Sequence, residues 1–292
     1  GNQAFMNAVL AVTDIGDEVI LLSPYYFNHR MALEMAGCRV AVVPTDGEYM
    51  PVVEGIEGAI GPRTKAVLTV SPNNPTGAVY PPKLQREINE LCAQHGIYHI
   101  TDEAYEHFTY GGAEHMSPAR FDPDLDHTIA LFSFSKSYSM AGFRIGYMVY
   151  PSDLHAEILK VQDTLAICAP AVSQYAALAV LESEPKYPKR FIDMLDKSRR
   201  VFLGELDGCP HIKVKPGQGA FYLMGHLAPG LGGGDVVRSL IERYGIITVP
   251  GEAFGDHNRT IRLSYGALTP DRAEEAAMRL SAALTAIYSR VE

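Results

Sequence analysis

One lysine, two serines and one arginine lie close together in residues 133–144. An apolar run at residues 128–134, typical of a buried strand, contains Ser133 near its end. Ser135 and Lys136 follow it directly, and Arg144 comes eight residues after Lys136. An amine held among apolar groups and near another cation loses its proton more readily and attacks carbonyl groups. Hydroxyls beside a guanidinium suit a phosphate dianion. The segment therefore suggests a nucleophilic lysine next to a phosphate-binding site.

An amine beside a phosphate-binding site suggests pyridoxal phosphate (PLP) as a cofactor. For this segment alone, a surface lysine at a strand end with a helix-capping serine is the alternative. Other segments have to decide between the two interpretations.

Two further polar motifs follow apolar runs. The turn at residues 71–77 carries Asn74 between prolines, which could direct its amide toward a ligand oxygen, although such turns are also common without a function. Asp102 follows the run at residues 97–101. A carboxylate there is costly unless it meets a cation, such as a protonated pyridine nitrogen; a helix N-cap is the alternative. Tyr105 could reach the phenolic oxygen of the same ring.

Aromatic and cationic residues at other strand ends complete the candidate site. Tyr26, after residues 18–22, could stack on a flat cofactor or fill the core. Arg262 could bind a carboxylate through two hydrogen bonds or be an ordinary surface residue. His29 has no companion at metal-binding spacing, so we expect a packing or supporting role for it and no metal site.

Elements that could position these residues follow from the apolar periodicity. Apolar runs that alternate with amphipathic segments predict an α/β fold, with a mainly parallel sheet and helices on both faces. Ligands of such sheets collect at the carboxyl ends of the strands. The predicted strands are residues 18–22, 39–43, 66–70, 97–101, 128–134 and 145–149, and the predicted helices are residues 2–12, 28–36 and 82–95 with a short one near Ser137.

The second part of the chain predicts a smaller α+β domain. Residues 151–184 have a helical pattern, and a long amphipathic helix at residues 187–206 follows it. We predict strands at residues 212–214, 220–224, 246–249 and 260–264, a closing helix at residues 270–290, and a flexible loop at the glycine run 230–234. The domain boundaries are residues 1–186 for the large domain, incomplete at its N-terminus, and 187–292 for the small one.

Composition narrows the classes of partner. The 292 residues are 47% hydrophobic, which suffices for a large core, and the formal net charge of -9 argues against a general binder of nucleic acid or anionic membranes. No apolar stretch is long enough to span a membrane. Four widely spaced cysteines without a Cys-x-x-Cys pair suit reduced, buried thiols in a cytoplasm. Small molecules are the expected partners.

Taken together and in order, these motifs resemble the class I/II aminotransferases, the fold-type I PLP enzymes related to aspartate aminotransferase. The resemblance covers essentially the whole chain and implies transfer of an amino group between an L-amino acid and a 2-oxo acid. It implies that Lys136 forms the internal aldimine and shuttles a proton, and that Asp102 pairs with the pyridine nitrogen. The other implied ligands are Asn74 and Tyr105 for the phenolic oxygen, Ser133, Ser135 and Arg144 for the phosphate, Tyr26 for the ring, and Arg262, with Asn74 beside it, for the substrate carboxylate.

The same resemblance bears on the start of the chain and on assembly. Gly1 and Asn2 resemble the second half of a turn whose backbone amides bind the cofactor phosphate at a helix N-terminus. The chain then lacks an N-terminal segment that family members carry. Family members are homodimers with active sites built from both subunits, so a homodimer is expected.

Substrate choice is less determined. The resemblance implies that dicarboxylate-specific enzymes often add a second cation for the side-chain carboxylate. Residues 162–170 contain no arginine and residues 3–12 no cation, which favours a broad or neutral, possibly aromatic, amino donor. Two alternatives to transfer stay open: a carbon-sulfur lyase or related elimination enzyme of the same fold, and a non-catalytic relative that binds an effector. The intact Lys136 and Asp102 count against the second.

Overall fold

The computed structural model describes residues 1–183, 186–257 and 259–290, and its first part is built on a six-stranded sheet. The strands pair in the order β2-β1-β3-β4-β5-β6; the first five are parallel, and β6 is antiparallel to β5. This confirms the predicted α/β class with a mainly parallel sheet. The strands are β1 (Glu18–Ser23), β2 (Arg39–Pro44), β3 (Thr64–Val70), β4 (Tyr98–Asp102), β5 (Thr128–Ser133) and β6 (Gly146–Val149).

Helices cover both faces of this sheet because the strands are apolar on both sides. Val19 and Leu21 of β1 belong to one core cluster and Ile20 and Leu22 to another, as the alternation of side chains along a strand requires. The first cluster packs against α1 (Asn2–Val12), α2 (Phe27–Met35) and α6 (His155–Ala166); the second packs against α3 (Val53–Ala59) and α4 (Pro82–His95). Two more helices of this region are α5 (Phe134–Ser137) and α7 (Ala171–Glu182).

A four-stranded antiparallel sheet forms the second part. Its order is β7-β8-β10-β9, and its core lies against helices α8 and α10. This smaller sheet agrees with the predicted α+β character. The elements are α8 (Lys186–Asp207), β7 (Ile212–Val214), β8 (Tyr222–Leu227), α9 (Gly233–Tyr244), β9 (Val249–Pro250), β10 (Thr260–Ser264) and α10 (Pro270–Tyr288).

Several predicted elements were wrong in detail. Phe134 begins α5 rather than ending β5, and the predicted helical segment 151–184 is two helices separated at residues 167–170. The predicted strand 246–249 is reduced to β9, because only Val249 and Pro250 pair with β10. The glycine run 230–234 is not all loop, since α9 begins at Gly233. Residue 184, the predicted end of the helical pattern, lies outside the described residues, and the domain boundary at residues 186 and 187 stays a prediction.

Close backbone contacts join the two sheets. Gly219 N–H donates to the Gly77 carbonyl at 2.8 Å, and residues 108–110 exchange backbone hydrogen bonds with residues 218–220. Gly77 has a φ of 73°, and a Cβ built on it would lie 2.7 Å from the Tyr222 carbonyl oxygen. Only glycine fits this left-handed position and close approach. The turn that carries Asn74 is thereby held against the start of β8.

Membrane insertion finds no support in the described part of the chain. No helix there combines the length and the apolar composition that crossing a membrane requires.

Candidate active site

A cavity of about 270 Å³ lies at the carboxyl ends of β3, β4 and β5, next to the four-stranded sheet. Parallel strands bring the residues that follow them to the same edge of the sheet. The structure brings together every site residue that the sequence suggested. Those lining residues are Gly1, Asn2, Tyr26, Asn74, Asp102, Tyr105, Ser133, Ser135, Lys136, Arg144 and Arg262.

Asp102 ends β4 as a buried carboxylate with partners for both oxygens. Its Oδ2 lies 3.0 Å from Nε2 of the buried His29, and its Oδ1 accepts the Ala104 backbone N–H at 3.0 Å. Burial raises the pKa of Asp102, but the hydrogen bond and charge of His29 and the Ala104 amide outweigh burial and hold this pKa below its ordinary value. A charged carboxylate only accepts hydrogen bonds, so His29 Nε2 carries a proton.

Lys136 lies in α5, directly after β5, and is half-buried in the cavity. Burial lowers the pKa of its amine, and the positive charges of Arg144 and Arg262 lower it further, against an opposing effect of Asp102. Its Nζ lies 5.9 Å from the centre of the Phe221 ring. The amine is therefore deprotonated more easily than an exposed lysine, as the sequence suggested.

Hydroxyl, amide and guanidinium groups surround one side of the lysine. Ser133 caps α5 by accepting the Ser135 backbone N–H at 3.2 Å, so the capping role considered from the sequence is present as well. Arg144 has a φ of 52°, an uncommon value for a non-glycine residue, and its Nη1 donates to the Ala141 carbonyl at 2.7 Å. Gly1 lies beside Ser133 at the N-terminus of α1. Backbone amides in the first turn of a helix favour anions.

Arg262 reaches the cavity from β10 in the other sheet. Its Nη1 donates to Asn74 Oδ1 at 3.0 Å, which leaves the Asn74 amide nitrogen as the donor toward a ligand. Its guanidinium lies over the rings of Tyr222 and Phe254, at 4.4 and 5.0 Å from their centres. Arg262 Nε is buried, and no described residue accepts a hydrogen bond from it. A buried donor without a partner is costly, so this side chain fits an anionic ligand.

Aromatic side chains close the cavity, and one of them was missed from the sequence. Tyr26 lines it and accepts a hydrogen bond from Asn28. Burial, and then the neighbouring Tyr222, raise the pKa of Tyr105 well above its ordinary value, so this phenol stays a donor. Tyr222 was not singled out because nothing around it resembles a motif; its place follows from the pairing of β8 with β10.

The cavity residues fit PLP and provide no metal site. Arg144 and the serine hydroxyls can bind a phosphate, and Asp102 can pair with a protonated ring nitrogen. Arg262, whose Nε has no acceptor among the described residues, can bind a carboxylate. Within the described ranges, no group of three or more His, Cys, Asp or Glu side chains is placed to hold a metal ion.

Known proteins resemble this chain over most of its length. Residues 1–280 match the family described as aminotransferase class I and II. The chain belongs to the class I and II aminotransferase family. An aromatic aminotransferase from Arabidopsis thaliana is 35% identical over 288 residues, which cover 96% of this chain and 72% of that protein. An aspartate/prephenate aminotransferase from Thermus thermophilus is also 35% identical, over 91% of this chain and 69% of its own length.

Solved structures place this aminotransferase in fold type I, as the sequence predicted. The crystal structure of an aromatic aminotransferase from Pyrococcus horikoshii matches with a TM-score of 0.93 at 30% identity, over 98% of this chain and 78% of that one. The enzyme is thus a PLP-dependent transaminase. The relatives named above are aminotransferases, so elimination and a non-catalytic role find no support among them.

Replacing Asp102 tests whether its carboxylate is charged in the folded aminotransferase. A carboxyl group with a lowered folded-state pKa contributes stability above the unfolded-state value of about 4, and this contribution is lost as the pH falls through the folded-state value. We expect the free energy of unfolding of the parent to fall more steeply below about pH 4 than that of Asp102→Asn. Urea unfolding of the cofactor-free proteins between pH 3 and 6 measures this, with Asp153→Asn, at the surface, as the control. Parallel curves for parent and Asp102→Asn would contradict the charged assignment.

Proposed function

We propose that Lys136 is the catalytic amine of this transaminase and that Asp102 and Tyr105 act on the cofactor ring. The observation that carries the proposal is the single cavity in which the lowered-pKa amine, the charged Asp102 and the phosphate-binding groups meet. Arg144, the hydroxyls of Ser133 and Ser135, the Gly1 nitrogen and the Asn2 backbone amide bind the phosphate. Tyr26 stacks on the ring, and Asn74 and Tyr105 donate to its phenolic oxygen.

The roles follow from what each side chain can hold or move. When bound, PLP supplies an electron sink for the electron pair left when the substrate Cα loses its proton. Asp102 holds a proton on the pyridine nitrogen by its negative charge. Lys136 Nζ would hold the cofactor, and its free amine would accept the proton from the substrate Cα. Both tasks need a neutral amine, which the lowered pKa of Lys136 favours.

Covalent trapping tests the role of Lys136. Borohydride treatment of the protein loaded with PLP should fix the cofactor to the parent and not to Lys136→Ala, because only the parent has the amine in the cavity. Mass spectrometry of the reduced peptides locates the label. The control, Lys160→Ala, removes an exposed lysine of α6 and should trap cofactor like the parent. Trapping of cofactor in Lys136→Ala at the level of the parent, or a label on another lysine of the parent, would remove Lys136 from this role.

A neutral or aromatic amino acid is the donor we propose, with a 2-oxo acid as acceptor. The cationic side chains among the described residues that line the cavity are Lys136, Arg144 and Arg262, and each already has a task. Among the described residues, no fourth cationic side chain lines the cavity to bind a side-chain carboxylate. Relatives carry both kinds of name, aromatic and aspartate aminotransferase, so the comparison leaves both open.

Arg262→Lys tests the binding of the substrate α-carboxylate. Lysine cannot form the two parallel hydrogen bonds of a guanidinium, so binding should weaken by about 1–3 kcal/mol for every donor alike. Initial rates with phenylalanine and with aspartate as donors and 2-oxoglutarate as acceptor give the apparent KM, and the parent should have the higher kcat/KM with phenylalanine. Arg279→Lys on α10 is the control. An unchanged KM for both donors would exclude Arg262 from the carboxylate site.

Two copies of the chain form the functional unit in our proposal. Apolar side chains along α6, α7 and the segment between them are exposed, including Ile167, Val172, Tyr175 and Leu178 at 71, 70, 74 and 50%. Ile167 and Leu178 line a groove of about 760 Å³ that continues to Ser135 and Arg144 at the site. Exposed apolar patches of this kind mark protein interfaces, and a symmetric pair covers the same patch on both copies.

The cysteines support a reducing cytoplasm as the compartment. Three of them are buried and form no disulfide, whereas Cys168 is exposed rather than buried as predicted.

Leu178→Asp tests this interface. A charge introduced at a buried contact appears twice in a symmetric dimer, so the dissociation constant should rise on the order of 100-fold or more. Sedimentation velocity across a concentration series measures it. Met278→Asp, which introduces the same charge at an exposed position of α10, should leave the association unchanged. A parent that sediments as a monomer at all concentrations, or equal behaviour of the two variants, would overturn the proposal.

A further inference from the structure

Tyr222 is a cavity residue for which neither the sequence motifs nor the proposed roles give a task. It begins β8, is 7% exposed, and its hydroxyl lies 3.0 Å from the hydroxyl of the equally buried Tyr105. The two rings meet edge to face, with centres 5.6 Å apart and an angle of 81° between their planes. This pair links the four-stranded sheet to Tyr105, which lies three residues after the end of β4.

The pairing of strands fixes the position of Tyr222. It lies opposite Ser264 on β10, whereas Arg262 lies opposite Met224. Residues two apart on a strand share a face, so Arg262 is the diagonal neighbour of Tyr222 on the cavity side. This register explains why the guanidinium lies 4.4 Å from the centre of the Tyr222 ring. Tyr222 therefore contacts the proposed cofactor ligand Tyr105 through its hydroxyl and the proposed substrate ligand Arg262 through its ring.

A count of protons assigns a direction to the hydroxyl pair. Each phenol carries one proton, so only one of the two can donate in the contact between Tyr105 and Tyr222. If Tyr105 gives its proton to a ligand oxygen in the cavity, the donor toward Tyr105 has to be Tyr222. A hydroxyl that accepts one hydrogen bond becomes a better donor in another. The positive charge of Arg262 over the Tyr222 ring further favours Tyr222 as a donor.

We propose that Tyr222 is a positioning residue that donates its hydroxyl proton to Tyr105 and thereby directs the Tyr105 proton to the phenolic oxygen of the cofactor. The inference rests on the proposed function, since it takes Tyr105 as the ligand of that oxygen. Tyr222 itself need not touch the cofactor. It acts by holding the orientation of the Tyr105 hydroxyl and by strengthening its hydrogen bond.

The consequence is a change in the proton affinity of the bound cofactor. A donor at the phenolic oxygen stabilises negative charge there, so weakening the donor raises the pH at which the absorption band of the bound cofactor titrates. Tyr222→Phe should raise this pH by about 0.3 to 1 unit. The variant loses one neutral hydrogen bond, which acts on the cofactor only through Tyr105. The dissociation constant of the cofactor should rise about 2- to 10-fold for the same reason.

Four variants separate this role from a packing role. Tyr110→Phe is the matched control: Tyr110 is 4% exposed, lies in the same core cluster, and donates to the Ala220 carbonyl rather than into the cavity. Its band should titrate like that of the parent. Tyr222→Phe should shift the titration in the parent and add no shift in a Tyr105→Phe background, because the two hydroxyls act through one contact. Spectra are recorded across pH, and cofactor affinity is measured by equilibrium dialysis.

Each outcome decides the proposal. An equal titration pH and an equal affinity in the parent and Tyr222→Phe would overturn it, as would an equal shift from Tyr222→Phe with and without Tyr105. An equal shift in Tyr110→Phe would reduce Tyr222 to a packing residue. Failure of the proposed Lys136 role is distinguishable, since borohydride would then trap no cofactor in the parent. In that case the dialysis comparison of the same variants still decides whether Tyr222 acts through Tyr105.

Discussion

The charged, buried carboxylate of Asp102 is the constraint on which the rest of the site depends. A carboxylate at the end of a central strand is stable only with hydrogen-bond donors and positive charge around it. His29 from α2 and the Ala104 amide supply the donors, and the charge of His29 further lowers the pKa of Asp102. His29 can do so because α2 follows β1, and only β3 lies between β1 and β4 in the parallel sheet. The order of the strands thus determines that the acid and its support meet.

Opposing charges then set the properties of the lysine. Asp102 raises the pKa of Lys136, whereas burial, Arg144 and Arg262 lower it, and the lowering effects prevail. The two cations that we propose as ligands of anionic groups therefore also lower the pKa of the amine. The same groups will be partly neutralised when anions bind to them, so occupancy of the phosphate and carboxylate positions is coupled to the basicity of the amine. Binding of an anion next to Arg144 or Arg262 should therefore change the pKa of Lys136.

The sequence predicts the large sheet and its site residues well because both depend on local signals. Strands buried on both faces have continuous apolar runs, and the polar residues that follow them fall at one edge. The second sheet is predicted less well, since its details depend on pairing. β9 exists only through its contacts with β10. The glycine at the start of α9 is there for packing rather than flexibility: a Cβ on Gly233 would lie 2.7 Å from the Thr260 carbonyl oxygen. The role of Tyr222 is not predicted for the same reason, because the register of β8 and β10 determines which residues it contacts.

Joining two sheets has a chemical purpose in this fold. The parallel sheet provides the groups suited to a cofactor, and β8 and β10 provide Tyr222 and Arg262, which meet Tyr105 and Asn74 across the junction. These cross-sheet hydrogen bonds have lengths of 3.0 Å, so a small shift between the sheets would break both. The backbone contact of Gly77 with the strand that bears Tyr222 limits such a shift. The requirement for glycine at residue 77 is therefore a requirement of the site as well as of the turn, because a side chain there would separate Arg262 and Tyr222 from Asn74 and Tyr105.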